Sequence, residues 1–351
     1  MSALLSDLGA DLPLVAAPMA GGPSTPALVT AAARAGGLGF LAGGYRTAPA
    51  LAEQIRTTRA AGVPFGVNLF VPNPVPISAA AYGSYVRAIR PEAERYGVTL
   101  PAHPLEDDDH WTDKIDLLVS DPVPWVSFTF GIPGPPVVKA LRRAGSTVLQ
   151  CVTSADEARR AAAAGVDVLV VQAPAAGGHS ATLTPARPPR PVRLTDLIAS
   201  VRRAVALPVV ATGGITTAAD VATALAAGAE AAMVGTALLR THESGASAPH
   251  KAALVDPAFT ATTVTRAFTG RPARALRNHF TDHYDPVAPL GYPALHHLTG
   301  PLRRAATAAG DTRLIHLWAG TGHRQAAAEP AADTFDRLAG RIPTCRDSPA
   351  G

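Results

Sequence analysis

Short apolar segments alternate with alanine-rich segments from residue 13 to residue 236, and this alternation constrains the fold of the 351-residue chain most strongly. The apolar segments are rich in valine, leucine and phenylalanine, as buried parallel strands are. Four alanine-rich segments end in Ala-Gly before the next apolar segment, where glycine commonly follows the last helical turn. The predicted strands are Pro13–Ala17, Leu38–Ala42, Phe65–Phe70, Trp125–Phe130, Thr147–Thr153, Val166–Gln172, Pro208–Thr212 and Ala231–Thr236.

Helices that alternate with strands imply a parallel sheet, and eight such units predict a closed (β/α)₈ barrel, known as a TIM barrel. An open, doubly wound sheet is the alternative, and the number of units disfavours it. The clearest predicted helices are Pro26–Ala35, Pro49–Ala61, Pro136–Ala144, Ser154–Ala164, Leu194–Ala206 and Thr217–Ala227.

The chain is longer than a plain barrel requires. We predict a barrel over residues 1–239, a C-terminal helical cap or substrate region over 240–345, and a flexible tail over 346–351. Part of the cap region is expected to return to the barrel. An insertion over 71–121 follows the third strand, and both it and the Pro/Arg-rich segment Pro185–Pro191 are candidate lids over the barrel mouth.

Composition excludes several classes of protein. Apolar residues make up 47% of the chain and charged residues 17%, as in a folded soluble protein. The net charge of +4 is spread without a basic block, which disfavours nucleic-acid binding. Cys151 and Cys345 form neither a disulfide framework nor a zinc motif, so we expect a reducing, cytoplasmic location. Gly228 and Glu230 interrupt the apolar segment Val221–Leu239, so no membrane span is expected, and the sequence does not predict the oligomeric state.

His179 is the strongest candidate catalytic residue. It follows Gly177 and Gly178 in the loop after the sixth predicted strand. The C-terminal ends of barrel strands carry the chemistry of TIM-barrel enzymes, and a histidine there can transfer protons near neutral pH. A plain loop histidine beside a flexible turn is the alternative interpretation.

Glycine-bearing loops follow the last two predicted strands. Ala211–Thr217 ends the seventh strand and opens a helix, and Met233–Thr236 ends the eighth. Backbone N–H groups of small residues, together with a helix N-terminus, favour a phosphate between these loops. Ordinary tight turns are the alternative.

Polar groups at other strand ends indicate a larger, flat ligand. Ala17–Gly22 follows the first strand, Asn68 lies in the third and Gln172 ends the sixth. Asn and Gln offer both donors and acceptors, which match the edge of a flavin ring. The alternative for each is a bond to nearby loop backbone.

These motifs together resemble the nitronate monooxygenase family, formerly called 2-nitropropane dioxygenases, which are FMN-dependent barrels. The resemblance implies that His179 lies nearest the reacting substrate. It implies that the chain oxidises alkyl nitronates, or nitroalkanes, with O₂ to a carbonyl compound and nitrite. The matching motifs are Ala17–Gly22, Gly36–Gly39, Phe65–Asn68, Gln172 with Gly177–His179, Thr212–Ile215, Val234–Thr236, Phe268–Arg274 and Leu317–Gly320. The implied FMN-binding residues are Ala17, Pro18, Met19, Asn68, Gln172, Gly177, Gly178, Gly213, Gly214, Met233, Val234, Gly235 and Thr236.

The chain departs from the family pattern beside these motifs. Ala175 stands where an acidic residue usually precedes the Gly-Gly-His motif, Ala181 replaces a frequent glycine, and Thr321 replaces a frequent glutamine. Three other functions therefore stay open. The first is a flavin-dependent enoyl-ACP reductase activity that uses NAD(P)H, and the second is a specialised biosynthetic flavin oxidation. The third is a flavin-free phosphate-binding barrel, although no lysine lies at a strand end as a Schiff-base lyase requires.

Several other residues carry weaker signals. The acidic run Asp107–His110 is expected to be a solvated lid loop rather than a metal site, and no metal is predicted. His296 and His297 can approach the site from the C-terminal region. Cys151 and Trp318 are interpreted as packed residues or pocket walls. A set of three arginines recurs every three residues, as on one helical face: Arg271, Arg274 and Arg277.

Overall fold

Eight parallel strands form a closed barrel in the computed structural model, which describes residues 10–187 and 190–340. The first and last barrel strands pair in register, Val15 with Met233, and close the barrel. The predicted fold class is confirmed, and each predicted strand agrees with an observed one to within two residues at either end. The barrel strands are Leu14–Ala16, Leu38–Ala42, Phe65–Phe70, Trp125–Thr129, Thr147–Val152, Val168–Gln172, Val209–Thr212 and Ala231–Val234.

Local sequence explains where the barrel helices begin and end. Thr25, Thr47 and Ser154 each accept a hydrogen bond from a backbone N–H of the first helical turn. The Ala-Gly pairs end helices as predicted, because their glycines adopt positive φ angles that other residues rarely tolerate. The helices around the barrel strands are Pro26–Arg34, Ala48–Ala60, Trp111–Ser120, Pro135–Arg143, Ala155–Ala163, Leu194–Ala204 and Ala218–Ala226.

The barrel buries side chains on both faces of its sheet. One face packs against the helices, for example through Leu41, Val67 and Val171. The other fills the interior with large side chains, including Phe40 and Trp125, whose ring centroids lie 6.1 Å apart. The barrel is therefore a packed core, and its space for a ligand lies at the mouth.

The insertion after the third strand and the C-terminal region share a second core. Helix Ala79–Arg95 buries Tyr82, Tyr85 and Ile89 against helix Ala294–Ala308 and its neighbours. The insertion after the third strand therefore packs against the C-terminal region. Further helices of that region are Ala248–Ala253, His279–Tyr284 and Ala331–Leu338, and the last of these packs back on the barrel helices.

A small antiparallel sheet joins the His179 loop to the C-terminal region. Strand Ala273–Leu276 lies between Thr262–Thr265 and Gly178–His179, and Ala273 pairs with His179. The interpretation of Arg271, Arg274 and Arg277 as one helical face is therefore wrong, because this segment is extended. Arg271 is fully buried, whereas Arg277 is exposed and pairs with Asp282.

Some predictions lie outside the described residues. The tail and Cys345 belong to residues 341–351, and the Pro185–Pro191 segment includes residues 188–189, which the structure does not describe. Within the described ranges, no helix combines the length and the apolar character needed to cross a membrane. The division into domains stays a prediction.

Candidate active site

One cavity of about 950 Å³ lies at the C-terminal mouth of the barrel. The sequence-predicted site residues come from five strand ends, and the structure brings all of them to the wall of this cavity. They are Ala17, Pro18, Met19, Asn68, Gln172, Gly177, Gly178, His179, Gly213, Gly214, Met233, Val234, Gly235 and Thr236.

The loop after the first strand is held by its own hydrogen bonds. The Met19 N–H donates to Ser24 Oγ at 2.8 Å, and the Ser24 N–H donates to the Met19 carbonyl oxygen at 3.2 Å. Ser24 Oγ also donates to the Ala17 carbonyl oxygen at 3.2 Å. The Met19 backbone polar groups therefore fix the loop, and the Met19 side chain lines the cavity.

Asn68 lies at the cavity floor with its amide oxygen already bonded. Ser127 Oγ donates to Asn68 Oδ1 at 2.9 Å, and Thr129 Oγ1 donates to the same atom at 3.1 Å. The Asn68 amide nitrogen donates to no other described side chain or backbone group, although the residue is only 5% exposed. Asn68 therefore keeps two N–H donors for a ligand.

Gln172 holds the loop that carries His179. Its Oε1 accepts from the Ala181 N–H at 2.8 Å, and its Nε2 donates to the His179 carbonyl oxygen at 3.2 Å. This loop contact is the alternative that the sequence left open for a strand-end glutamine. One Nε2 proton remains beyond these bonds.

His179 faces the cavity within an aromatic frame. Its ring centroid lies 5.4 Å from Phe130 and 5.3 Å from Trp318, and its Nε2 lies 2.9 Å from Thr269 Oγ1. Burial, together with the positive charges of Arg271 and Arg303, lowers the pKa of His179 to about 3. The imidazole is therefore neutral at pH 7 and can accept a proton or a hydrogen bond.

Two glycine-bearing loops, which contain Gly213, Gly214 and Gly235, form a cradle of backbone at the cavity wall. Gly213 and Gly214 have φ angles of 107° and 79°, and a Cβ on Gly213 would lie 2.7 Å from the Ala173 carbonyl oxygen. Among described residues, the N–H groups of Gly213, Gly214 and Gly235 have no hydrogen-bond acceptor. Several free N–H donors at one concave surface are the usual components of a phosphate site.

The helix that follows the seventh strand contributes less to this cradle than the sequence indicated. The Asp220 carboxylate accepts hydrogen bonds from both the N–H and the hydroxyl groups of Thr216 and Thr217. Partial burial alone would raise the pKa of Asp220, but these bonds lower it. The N–H groups of Thr216 and Thr217, just before the helix, are thus already bonded, and the N–H groups that stay free near the cavity are those of the preceding glycines.

Comparison with known proteins identifies the family. A family model described as nitronate monooxygenase matches residues 2–338. The chain belongs to the nitronate monooxygenase family. This family is flavin-dependent, and the protein is an oxidoreductase.

Individual relatives agree with this assignment. A nitronate monooxygenase from Paraburkholderia phytofirmans is 38% identical over 349 residues, which cover 96% of this chain and 93% of that protein. The crystal structure of a nitroalkane oxidase from Streptomyces ansochromogenes superposes with a TM-score of 0.91 and 47% identity, covering 96% of this chain and 97% of that one. FabK from Thermotoga maritima has a TM-score of 0.75 and 25% identity over 97% of this chain and 96% of its own.

Several residues of the cavity wall in this nitronate monooxygenase family member were not predicted from the sequence. Tyr45 follows two glycines at the end of the second strand, and Phe130 ends the fourth, so both stand at informative strand ends. Both adopt positive φ angles, of 65° and 79°, and backbone strain of this kind often accompanies functional sites. Thr269 lies within the Phe268–Arg274 motif, but no role was predicted for it.

Two buried arginines make the cavity region positive. Arg303 lines the cavity and donates to the Thr299 hydroxyl at 3.0 Å and to the His296 carbonyl oxygen at 2.8 Å, both of them neutral acceptors. Arg271 stacks over the Phe130 ring at 4.1 Å. Burial lowers the pKa of each arginine only to about 10, so both stay charged at pH 7.

The acidic segment of the insertion packs against the mouth of the cavity. Asp109 Oδ1 accepts from the Tyr45 N–H at 2.9 Å, and Asp109 also pairs with buried Lys114 at 2.8 Å. Asp107 pairs with His297 at 2.7 Å, and His296 stacks on Tyr45 with ring centroids 4.0 Å apart. The segment is thus tied to both sides of the mouth, and His296 and His297 reach the site as predicted.

The three departures from the family pattern surround the cradle and the histidine loop. Ala175 accepts a hydrogen bond from the Thr321 N–H at 3.1 Å, and its Cβ faces Gly214. Ala181 is fully buried in the barrel interior, directly beyond His179. Ala175 and Thr321 thus adjoin the glycine cradle, whereas Ala181 packs beneath the histidine loop.

Proposed function

We propose that this protein binds FMN at the barrel mouth and uses O₂ to oxidise alkyl nitronates, and nitroalkanes, to a carbonyl compound and nitrite. The observation that carries the proposal is the convergence of a neutral histidine, an amide donor and a glycine cradle on one cavity. The names of the Paraburkholderia and Streptomyces proteins support the same chemistry.

The residues present fit FMN. The free N–H groups of Gly213, Gly214 and Gly235 are suited to the phosphate, and Gly235 adjoins Met19, whose sulfur would be 3.6 Å from a Cβ placed there. The Asn68 amide donors are suited to the carbonyl edge of the flavin ring. Gly177 and Gly178 would let the backbone approach the ring closely.

His179 is the proposed proton acceptor. A neutral imidazole at the cavity wall can take a proton from the carbon next to a nitro group, or donate a hydrogen bond to a nitronate oxygen. Arg303 and Arg271 favour binding of an anionic nitronate by their charge. Bound FMN supplies the electron transfer and the reaction with O₂.

The visible spectrum of the purified protein, followed by addition of propyl nitronate, tests this proposal. We expect a yellow protein that consumes O₂ and releases nitrite when propyl nitronate is added in air. Under anaerobic conditions propyl nitronate should bleach the flavin. A protein that stays colourless after FMN is added contradicts flavin binding and favours a flavin-free phosphate-binding barrel.

The same experiment tests a second candidate, an NAD(P)H-dependent flavin reductase of the enoyl-ACP reductase type. The similarity to FabK from Thermotoga maritima, over nearly the whole of both chains, favours this candidate. Rapid anaerobic bleaching by NADPH, without bleaching by propyl nitronate, would select it over nitronate oxidation. Bleaching by propyl nitronate alone selects the monooxygenase.

A further inference from the structure

We propose that Thr269 is a positioning residue that holds His179 with its proton on Nε2, so that Nδ1 is the atom that takes the substrate proton. The inference rests on the proposed oxidation of nitro compounds. It assigns a role to a threonine outside the barrel, in the loop before strand Ala273–Leu276.

The geometry places the Thr269 hydroxyl between a histidine nitrogen and a backbone carbonyl. Thr269 Oγ1 lies 2.9 Å from His179 Nε2 and 3.3 Å from the Arg271 carbonyl oxygen. Thr269 is 1% exposed, so water does not compete freely for its hydroxyl. The hydroxyl therefore has two partners and a single proton to share between them.

The carbonyl decides where that proton goes. A carbonyl oxygen can only accept, and the Arg271 carbonyl accepts from no other described group. Arg271 is fully buried, so its carbonyl would be left unsatisfied if the Thr269 proton pointed at His179. The Thr269 hydroxyl thus donates to the Arg271 carbonyl and accepts from His179 Nε2.

The tautomer of His179 follows. A neutral imidazole has one N–H donor and one acceptor nitrogen, and the bond made by one nitrogen fixes the role of the other. With Nε2 protonated, Nδ1 carries the lone pair, and it has no hydrogen-bond partner among the described residues. The Phe130 and Trp318 rings limit rotation of the imidazole, so Nδ1 keeps its direction.

This arrangement defines the proton transfer from a nitroalkane. The C–H bond next to the nitro group breaks, and its electron pair forms the C=N bond of the nitronate. The π pair of one N=O bond moves onto its oxygen, which takes the negative charge, and the proton joins Nδ1. The resulting imidazolium keeps its Nε2–H bond to Thr269. Preformed nitronate needs no such transfer, so Thr269 should matter more for nitroalkane than for nitronate.

Two variants of Thr269 test the inference in the flavin-loaded enzyme. Thr269→Val keeps the shape but removes the hydroxyl, and Thr269→Ser keeps the hydroxyl as the matched control. For Thr269→Val, we expect kcat/KM for 1-nitropropane to fall at least about tenfold more than kcat/KM for propyl nitronate, because only the former needs the base. Thr269→Ser should keep most of the kcat/KM for 1-nitropropane, because its hydroxyl is still present. Equal losses on both substrates would show a merely structural role.

A second measurement does not depend on turnover. Imidazole ¹⁵N NMR of the flavin-loaded protein, with the His179 signals assigned by their absence in His179→Asn, should show a protonated Nε2 and an unprotonated Nδ1. In Thr269→Val this preference should weaken. A protonated Nδ1 in the unmodified enzyme overturns the inference. If the enzyme oxidises neither substrate, the proposed function fails, while the NMR result still decides the tautomer.

Discussion

At the scale of single residues, the environment of His179 keeps its imidazole neutral, so one ring nitrogen is available as an acceptor when a substrate arrives. Burial and two neighbouring arginine charges disfavour the imidazolium, and the pKa of His179 is accordingly about 3. An anionic nitronate at the cavity would offset these charges and favour proton transfer to the ring. The site therefore combines a neutral base with positive charges that attract the anionic nitronate formed by the proton transfer.

Replacement of His179 tests this role. His179→Asn should retain bound FMN, because the proposed cradle and Asn68 are untouched. We expect its kcat/KM for 1-nitropropane to fall by about 10²- to 10⁴-fold, the usual contribution of a positioned general base. Steady-state kinetics with the flavin content measured in parallel gives the answer.

His242→Gln is the matched control, because His242 is exposed and lies outside the cavity wall. It should behave as the unmodified enzyme. Full turnover of 1-nitropropane by flavin-loaded His179→Asn would remove His179 from the mechanism.

At the scale of elements, the site depends on close contact between loops that are distant in sequence. The segment after Trp318 closes on the histidine loop, and Gly320 donates its N–H to Thr236 Oγ1 at 2.9 Å. A Cβ on Gly177 would lie 2.5 Å from the Gly320 backbone nitrogen. Glycine at this position thus lets the C-terminal segment seal one side of the cavity.

Gly177→Ala should separate these two loops. Because the contact atoms belong to backbone, we expect the free energy of unfolding to fall by about 1–3 kcal/mol, as in other overpacked sites. We also expect weaker FMN binding. Denaturant titration and FMN titration of the apoprotein measure the two effects.

Gly83→Ala supplies the control for this substitution. Gly83 lies inside helix Ala79–Arg95, where a Cβ would make only an ordinary contact of 3.6 Å with Arg87. This change should leave FMN binding intact and stabilise the protein by up to about 1 kcal/mol, because alanine favours helices. Equal FMN affinity in both variants would contradict a role for the Gly177 contact.

At the scale of the whole molecule, the cavity region buries several neutral histidines. Burial lowers the pKa of His250 to about 4, and it lowers those of His296 and His316 well below the usual value. His179 belongs to the same group. Each binds fewer protons in the folded state than in the unfolded state between pH 4 and 6.5, so acid favours unfolding.

The stability of the flavin-loaded protein should therefore be level above about pH 7 and fall as the pH drops through the unfolded-state pKa of about 6.5. At pH 5, His250 alone should cost about 2 kcal/mol. Thermal unfolding at pH 8, 7, 6 and 5 measures the trend. His250→Gln should show a smaller decrease, and a Tm that is constant from pH 7 to pH 5 would contradict buried neutral histidines.

Much of the molecule was predictable because its signals are local. Strand positions follow from apolar segments, and helix ends from Ala-Gly pairs, since propensity and burial act over a few residues. The cavity residues at strand ends were also predictable, because a parallel barrel brings all such ends to one face. The assignment of Arg271 to a helical face was wrong. A spacing of three residues does not distinguish a helix from an extended segment that is buried by tertiary contacts.

The sequence by itself determined the barrel, its mouth and the identity of His179 as the residue beside the glycines. Only the tertiary structure decided how His179 is held. Thr269 and Arg303 lie far from His179 in the chain, and the Gln172 side chain bonds to the backbone of the His179 loop. Hydrogen bonds and burial of this kind depend on which distant segments come into contact, and no local sequence pattern specifies these tertiary contacts.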